Sequence, residues 1–184
     1  MKKYTLENFE SFITKYSILT TLFSNDELVE FYKEWRFSNS PLFHDYIWSL
    51  FNRALIKSAE NFSKDENEDL FYQNNYTIYL GMGYFRREEG GSLKSANQYI
   101  RLAFESEINQ YKIRLNNSRL DMNVILISNG SCEYAKNLNG KLYEVNEFLN
   151  ECGIATDKCT AEFNCKCAIS LSPKRDENNR LIRK

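Results

Sequence analysis

Cysteine offers the most chemistry in this chain, and its distribution is uneven. All five cysteines, Cys132, Cys152, Cys159, Cys165 and Cys167, fall in the C-terminal third, and none precedes Cys132. Thiolates bind zinc at about 2.3 Å in tetrahedral sites, and closed sites of this kind stabilise small folds directly. Cys165 and Cys167 are two residues apart, so a bent backbone is needed for both to reach one ion. Cys159 lies six residues before Cys165, and Cys132 arrives from a distant turn. The expected ligand set is therefore Cys132, Cys159, Cys165 and Cys167, with structural Zn²⁺ as the cofactor. No C-x-x-C pair is present. The alternative left open is a cluster of thiols buried as small hydrophobes. An odd number of cysteines does not suit a closed disulfide framework.

Other chemistries find less support. The one histidine, His44, has no cysteine near it in sequence, and a nucleophilic thiol needs a base. It reads as a surface or half-buried side chain. Gly90-Gly91-Ser92 resembles an anion-binding helix start but lacks the lysine and the length of a phosphate loop. A glycine turn followed by a serine cap accounts for it. Arg86, Arg87, Glu88 and Glu89 read as a solvated helix face.

With Tyr 12 and Phe 13, the chain has enough aromatic surface to offset chain entropy, which excludes disorder over most of its length. Net charge is −1, so no global electrostatic argument favours nucleic acid. The N-terminal lysines have no apolar run behind them, and no stretch is apolar enough to span a bilayer. The expectation is a soluble, cytoplasmic protein with reduced thiols and no membrane partner.

These residues must be positioned by two kinds of structure. Residues 1–120 are expected to form a helical domain of about five helices. Thr5 caps a first helix with Phe9, Phe12 and Ile13 on one side, and Ser24-Asn25 caps a second bearing Leu28, Phe31, Tyr32 and Trp35. Ser40-Pro41 opens a third, carrying Tyr46, Ile47, Leu50 and Phe51. The stripe Phe71, Ile78, Met82 and Phe85 marks a fourth, in which Gly81 and Gly83 imply a close helix crossing or a kink. Ser92 caps the fifth, with Ala96, Ile100, Phe104, Ile108, Tyr111 and Leu115 buried. Residues 121–173 are expected to form a small α+β unit, with strands at NVILIS and CAISLS, turns at Asn129-Gly130 and Asn139-Gly140, and a short helix at NEFLNEC. Such a unit buries little apolar surface and needs a staple. Residues 174–184 read as an exposed, flexible basic tail with Lys174, Arg175, Arg180, Arg183 and Lys184.

The segment CEYAKNLNGKLY followed by NCKC resembles the C-terminal cysteine element of phage minor head proteins of the Mu F-like group and of related uncharacterised bacterial proteins. Cys132, Leu138, Gly140, Lys141, Tyr143, Cys165, Lys166 and Cys167 carry the resemblance, and Cys159-Thr160 resembles the Cys-Thr that precedes the closing C-x-C in some members. The resemblance implies a zinc-knuckle-like unit and a phage or mobile-element origin. This chain has Ala135 where the family pattern has the second cysteine of its C-x-x-C, and Glu162-Phe163-Asn164 where head proteins often carry a histidine-proline. Two functions follow as expectations. The first is a non-enzymatic module that binds protein or nucleic acid. The second is a metal-dependent, nuclease-like hydrolase or a toxin-type effector, with the position vacated at Ala135 as the open site of a catalytic zinc.

Overall fold

A computed structural model describes residues 6–37 and 43–184. The caps expected at Thr5 and Ser40-Pro41 lie outside the described residues. Within them the protein is mainly helical with one small antiparallel sheet. It divides into two compact units, residues 1–67 and 68–184.

The first unit contains α1 (Leu6–Thr14), α2 (Ser17–Leu22), α3 (Asn25–Phe37) and α4 (Phe43–Asp65). The sequence suggests one helix before Ser24, and the structure has two. Tyr16 leaves helical geometry at φ −107° and ψ 80°, its side chain is buried, and the chain restarts at Ser17. Helix α3 begins with a capping box: Ser24 Oγ accepts from Glu27 N at 3.2 Å, and Ser24 N donates to Glu27 Oε2 at 2.9 Å. Aromatic rings fill the centre. Phe9 meets Tyr32, Trp35, Phe43 and Tyr46 at centroid separations of 5.5–6.4 Å, tilted against Tyr32 and Tyr46, edge-on to Phe43 and stacked with Trp35. Lys57–Glu27 and Arg53–Glu34 ion pairs tie α4 to α3.

The second unit begins with α5 (Glu68–Glu88) and α6 (Leu93–Asn116). They pack along their length, and Gly83 explains how closely. A Cβ there would stand 2.6 Å from Ile100 Cδ1 and 3.2 Å from the Ala96 carbonyl oxygen. Of the two alternatives the sequence offers for this glycine, close crossing is the one realised. Between the helices, Gly90 adopts φ +91° and Ser92 caps α6 by accepting from Ser95 N at 3.1 Å.

Strands β1 (Met122–Ile127), β2 (Leu142–Tyr143) and β3 (Ala168–Pro173) form a sheet in the order β2-β1-β3, antiparallel throughout. Two short helices, α7 (Glu133–Lys136) and α8 (Phe148–Cys152), lie in the connections. Both asparagine-glycine turns occur where the alternation stops, with Gly130 at φ +81° and Gly140 at φ +79°. Period-2 alternation puts Val124, Leu126, Tyr143 and Ile169 on the buried face and leaves Ile127 and Leu142 on the exposed one.

The boundary expected near residue 120 falls inside this unit. Ile100, Phe104, Ile108, Tyr111 and Leu115 of α6 share one core with Val124, Leu126, Phe148 and Ile169, and the buried cysteines belong to it too. Residues 174–184 fold back on the start of the sheet. Asp121 N donates to Ile182 O at 3.1 Å and Lys184 N to Arg119 O at 3.0 Å, while Asp176 turns the chain by accepting from Asn178 N and Arg180 N. Lys174 is paired with Asp121 at 3.1 Å and Glu144 at 2.7 Å.

Candidate thiol centre

Each cysteine is delivered by a different short device. Cys132 is the residue before α7, in extended geometry after the Gly130 turn. Cys152 closes α8, which ends in the left-handed Gly153. Cys159 and Cys165 sit in the irregular segment before β3, and Cys167 immediately precedes that strand. Cys132, Cys152, Cys159 and Cys165 are buried, Cys167 is half-buried, and all five are unbridged.

Cys132 meets the 159–167 loop directly. Its Sγ accepts from Thr160 N at 3.3 Å and from Thr160 Oγ1 at 3.6 Å. The loop thiols Cys159, Cys165 and Cys167 act on one another's protonation. Cys165, together with burial, pushes the Cys159 thiol up. Cys159 lowers Cys165, but Cys167 and burial outweigh it and bring it to about 11. Cys167 is lowered by Cys165 against burial and the neighbouring Cys132, Cys159 and Cys152. Cys152 is pushed up by burial beside the Tyr143 hydroxyl.

All four sequence-predicted ligands thus occupy one neighbourhood, with Cys152 at its edge. Among the described residues no three His, Cys, Asp or Glu side chains gather tightly enough to hold an ion. As a donor set the sulfurs suit zinc, and N–H groups aimed at sulfur are the outer contacts that metal-bound thiolates use. Asn164, in the same loop, is completely buried, and neither of its side-chain polar atoms has a partner among the described residues. A buried amide without a protein partner marks a place where the wall of the cluster still has hydrogen-bonding capacity. Ala135 is buried in the core.

Two helix residues that hold this loop were not singled out from the sequence as part of the site. Asn97 of α6, 2 % exposed, accepts from Cys165 N at 3.2 Å, donates to Thr156 O at 3.4 Å and contacts the Cys159 thiol. Its signal was a polar residue interrupting the buried stripe between Ala96 and Ile100. Arg87 of α5 departs from the solvated face expected for it. It donates to the carbonyls of Phe163, Glu162 and Gly91, and its guanidinium lies 5.5 Å from the Phe163 ring centroid. Nothing local in the sequence separates Arg87 from Arg86, which pairs with Glu89.

His44 is exposed on α4, in the first unit. A second polar cluster lies between α5, α6 and β3. Tyr111 Oη lies 2.9 Å from Glu107 Oε1 and 3.1 Å from Ile169 O, its one proton shared between the two acceptors, and burial pushes the Glu107 carboxyl up to about 7. Arg114 holds the Asp69 carboxyl below the ordinary carboxylate range. No described helix is long and apolar enough to cross a membrane. Compared with models of protein families, with curated proteins and with solved structures, the chain matches none.

Proposed function

We propose that the chain is a non-enzymatic binding module whose 68–184 unit is pinned by a structural zinc held by Cys132, Cys159, Cys165 and Cys167. Bound zinc would supply a cross-link between the β1–α7 turn and the segment before β3, with no reaction of its own. The observation that carries this reading is the Cys132 contact with Thr160, which joins two segments distant in sequence beside three further thiols. The groups touching the thiols are an amide, a hydroxyl and backbone N–H. They stabilise sulfur and have no role as acid or base at neutral pH, which favours a staple over the hydrolase reading.

A protein partner is favoured over nucleic acid. Ile127 and Leu142 are 46 % and 49 % exposed on the outer face of the sheet, and net charge is −1. The origin proposed is phage or mobile-element, on the strength of the Cys132–Tyr143 and Cys165–Cys167 resemblance, and the location proposed is the cytoplasm, where thiols stay reduced.

Native mass spectrometry of protein purified without added zinc tests the metal. The reading expects one zinc ion per chain, lost in Cys132→Ser and Cys165→Ser and kept in Cys152→Ser. Zinc-free wild-type protein that takes up none on addition would overturn it. A zinc-loaded protein that hydrolyses nucleic acid in a zinc-dependent way would replace it with the hydrolase reading.

A further inference from the structure

Residues 174–184 close on the end of the sheet with one side of their backbone only. Leu120 stands opposite Arg183, and Arg175 opposite Leu181, in antiparallel bridges. The bonds around those bridges are made by the flanking residues. Ile182 N donates to Lys174 O at 3.0 Å, Asp121 N to Ile182 O at 3.1 Å, Lys184 N to Arg119 O at 3.0 Å and Asp176 N to Arg180 O at 2.9 Å. In an antiparallel pair, opposite residues that exchange no bonds turn their own N–H and C=O away from each other. Leu181 and Arg183 are both of this kind. Their N–H and C=O groups have no partner among the described residues, and both residues are exposed. An exposed row of such groups is a template for one more strand. Charge gathers along the same edge. Lys174 is paired with Asp121 and Glu144, and the Asp176 carboxylate is taken up by Asn178 N and Arg180 N. Arg119, Arg180 and Arg183 have no carboxylate partner among the described residues. Side chains alternate along a strand, so Arg183 shares a face with Leu181, while Arg180 and Lys184 share the other with Ile182. Leu181 is 44 % and Ile182 37 % exposed, so each face offers a cation beside an aliphatic side chain. We propose that the Leu181–Arg183 edge docks an extended, acidic segment of a partner protein as an added strand.

Other anionic or strand-forming partners fit this edge less well. The phosphodiesters of a nucleic acid or an anionic bilayer could pair with the arginines, but they offer acceptors only. The outward carbonyls of Leu181 and Arg183 would stay unanswered, whereas an extended peptide brings N–H and C=O at strand spacing. A second copy of this chain would set Arg180, Arg183 and Lys184 against themselves, and charges of one sign guard an edge against its own copies. Carboxylates on a partner turn that repulsion into attraction and suit the guanidinium fork. An acidic protein is one form of the protein partner proposed above, and the edge rests on that reading for the class of partner alone. No cysteine and no zinc takes part.

Titration of the isotope-labelled full chain with a blocked peptide of alternating glutamate and valine, followed through the backbone amide resonances, tests the edge. The expected result is saturable shifts largest at Leu181 and Arg183, with slowed hydrogen exchange of those two amides. The same peptide with lysine in place of glutamate should not bind. Arg180→Glu combined with Arg183→Glu should raise Kd roughly tenfold or more. Leu181→Pro removes an outward N–H and no charge, costs the hairpin no hydrogen bond, and should raise Kd roughly fivefold. The absence of saturable shifts overturns the proposal, as do shifts that do not favour this edge or equal binding of the two peptides. Tighter binding of a single-stranded oligonucleotide or of phosphatidylserine vesicles overturns it in favour of a phosphate partner. A dimer that forms through this edge without peptide overturns it in favour of self-pairing. The wild-type titration decides without the variants should they fail to fold. Zinc content measured on the same sample keeps the outcomes apart, since failure to bind peptide leaves the metal result as it stands.

Discussion

The Asn97 side chain, 2 % exposed, bonds two backbone groups of the loop; its removal leaves the buried Cys165 N–H without the acceptor it has here, while Thr156 O still accepts from Cys159 N. Asn97→Ala should cost about 1–3 kcal/mol, read as a fall in the urea midpoint with unchanged slope. It should also raise hydrogen exchange in the 156–165 loop. Glu107 supplies a pH signature. Its Oε2 is buried without a partner among the described residues, Tyr111 donates to Oε1, and Tyr76 and Arg114 also act on it. Its folded pKa of about 7 lies above the unfolded value, so the native state holds the proton longer. Stability falls as pH rises from about 4.5 to about 7 and then levels, by on the order of 3 kcal/mol from this group. Glu107→Gln keeps an acceptor for Tyr111 and removes the titration. The difference between the two urea-stability profiles should grow across that window in favour of the variant.

At the level of elements, the α5–α6 crossing depends on Gly83 having no side chain. Gly83→Ala gains about 1 kcal/mol of helix propensity but drives a methyl into Ile100, a clash that costs typically 1–3 kcal/mol. The net change should be destabilising. Ile100→Val, which lacks the nearest carbon, should recover part of it in a double-mutant cycle. Most elements were legible in the sequence because each carries a local signal. The Ser24 and Ser92 caps, the α6 stripe, the strand at NVILI, the two Asn-Gly turns and the NEFLNEC helix all fall where those signals lie. The break at Tyr16 was not legible, since an aromatic stripe continues through it. Arg87 was not legible either. Reaching the carbonyls of Glu162 and Phe163 depends on the chain returning to α5 some 75 residues later, and neither composition nor period encodes that return. In the thiol centre the approach of Cys132 to the 159–167 loop was legible, because a turn at Gly130 returns the chain there. The part taken by Asn97 emerges only from the packed loop.

Across the whole molecule, the division falls after Asn67 because α6 and the sheet share a core and α5 packs along α6. The fragment 68–184 should unfold cooperatively on its own. The fragment 121–184 lacks Ile100, Phe104, Ile108, Tyr111 and Leu115 and should not fold, as circular dichroism and urea titration of the two will show. A folded 121–184 fragment would restore the boundary near residue 120. The central claim is that sulfur convergence at the Cys132–Thr160 contact, completed by zinc, holds the C-terminal part in shape. Urea unfolding of the full chain under reducing conditions, with saturating zinc and with excess chelator, tests it most directly. Ligand linkage predicts a gain of about 4 kcal/mol when free zinc is a thousandfold above Kd, confined to the transition of the 68–184 unit and absent in Cys132→Ser. Superimposable curves with and without zinc would contradict the account.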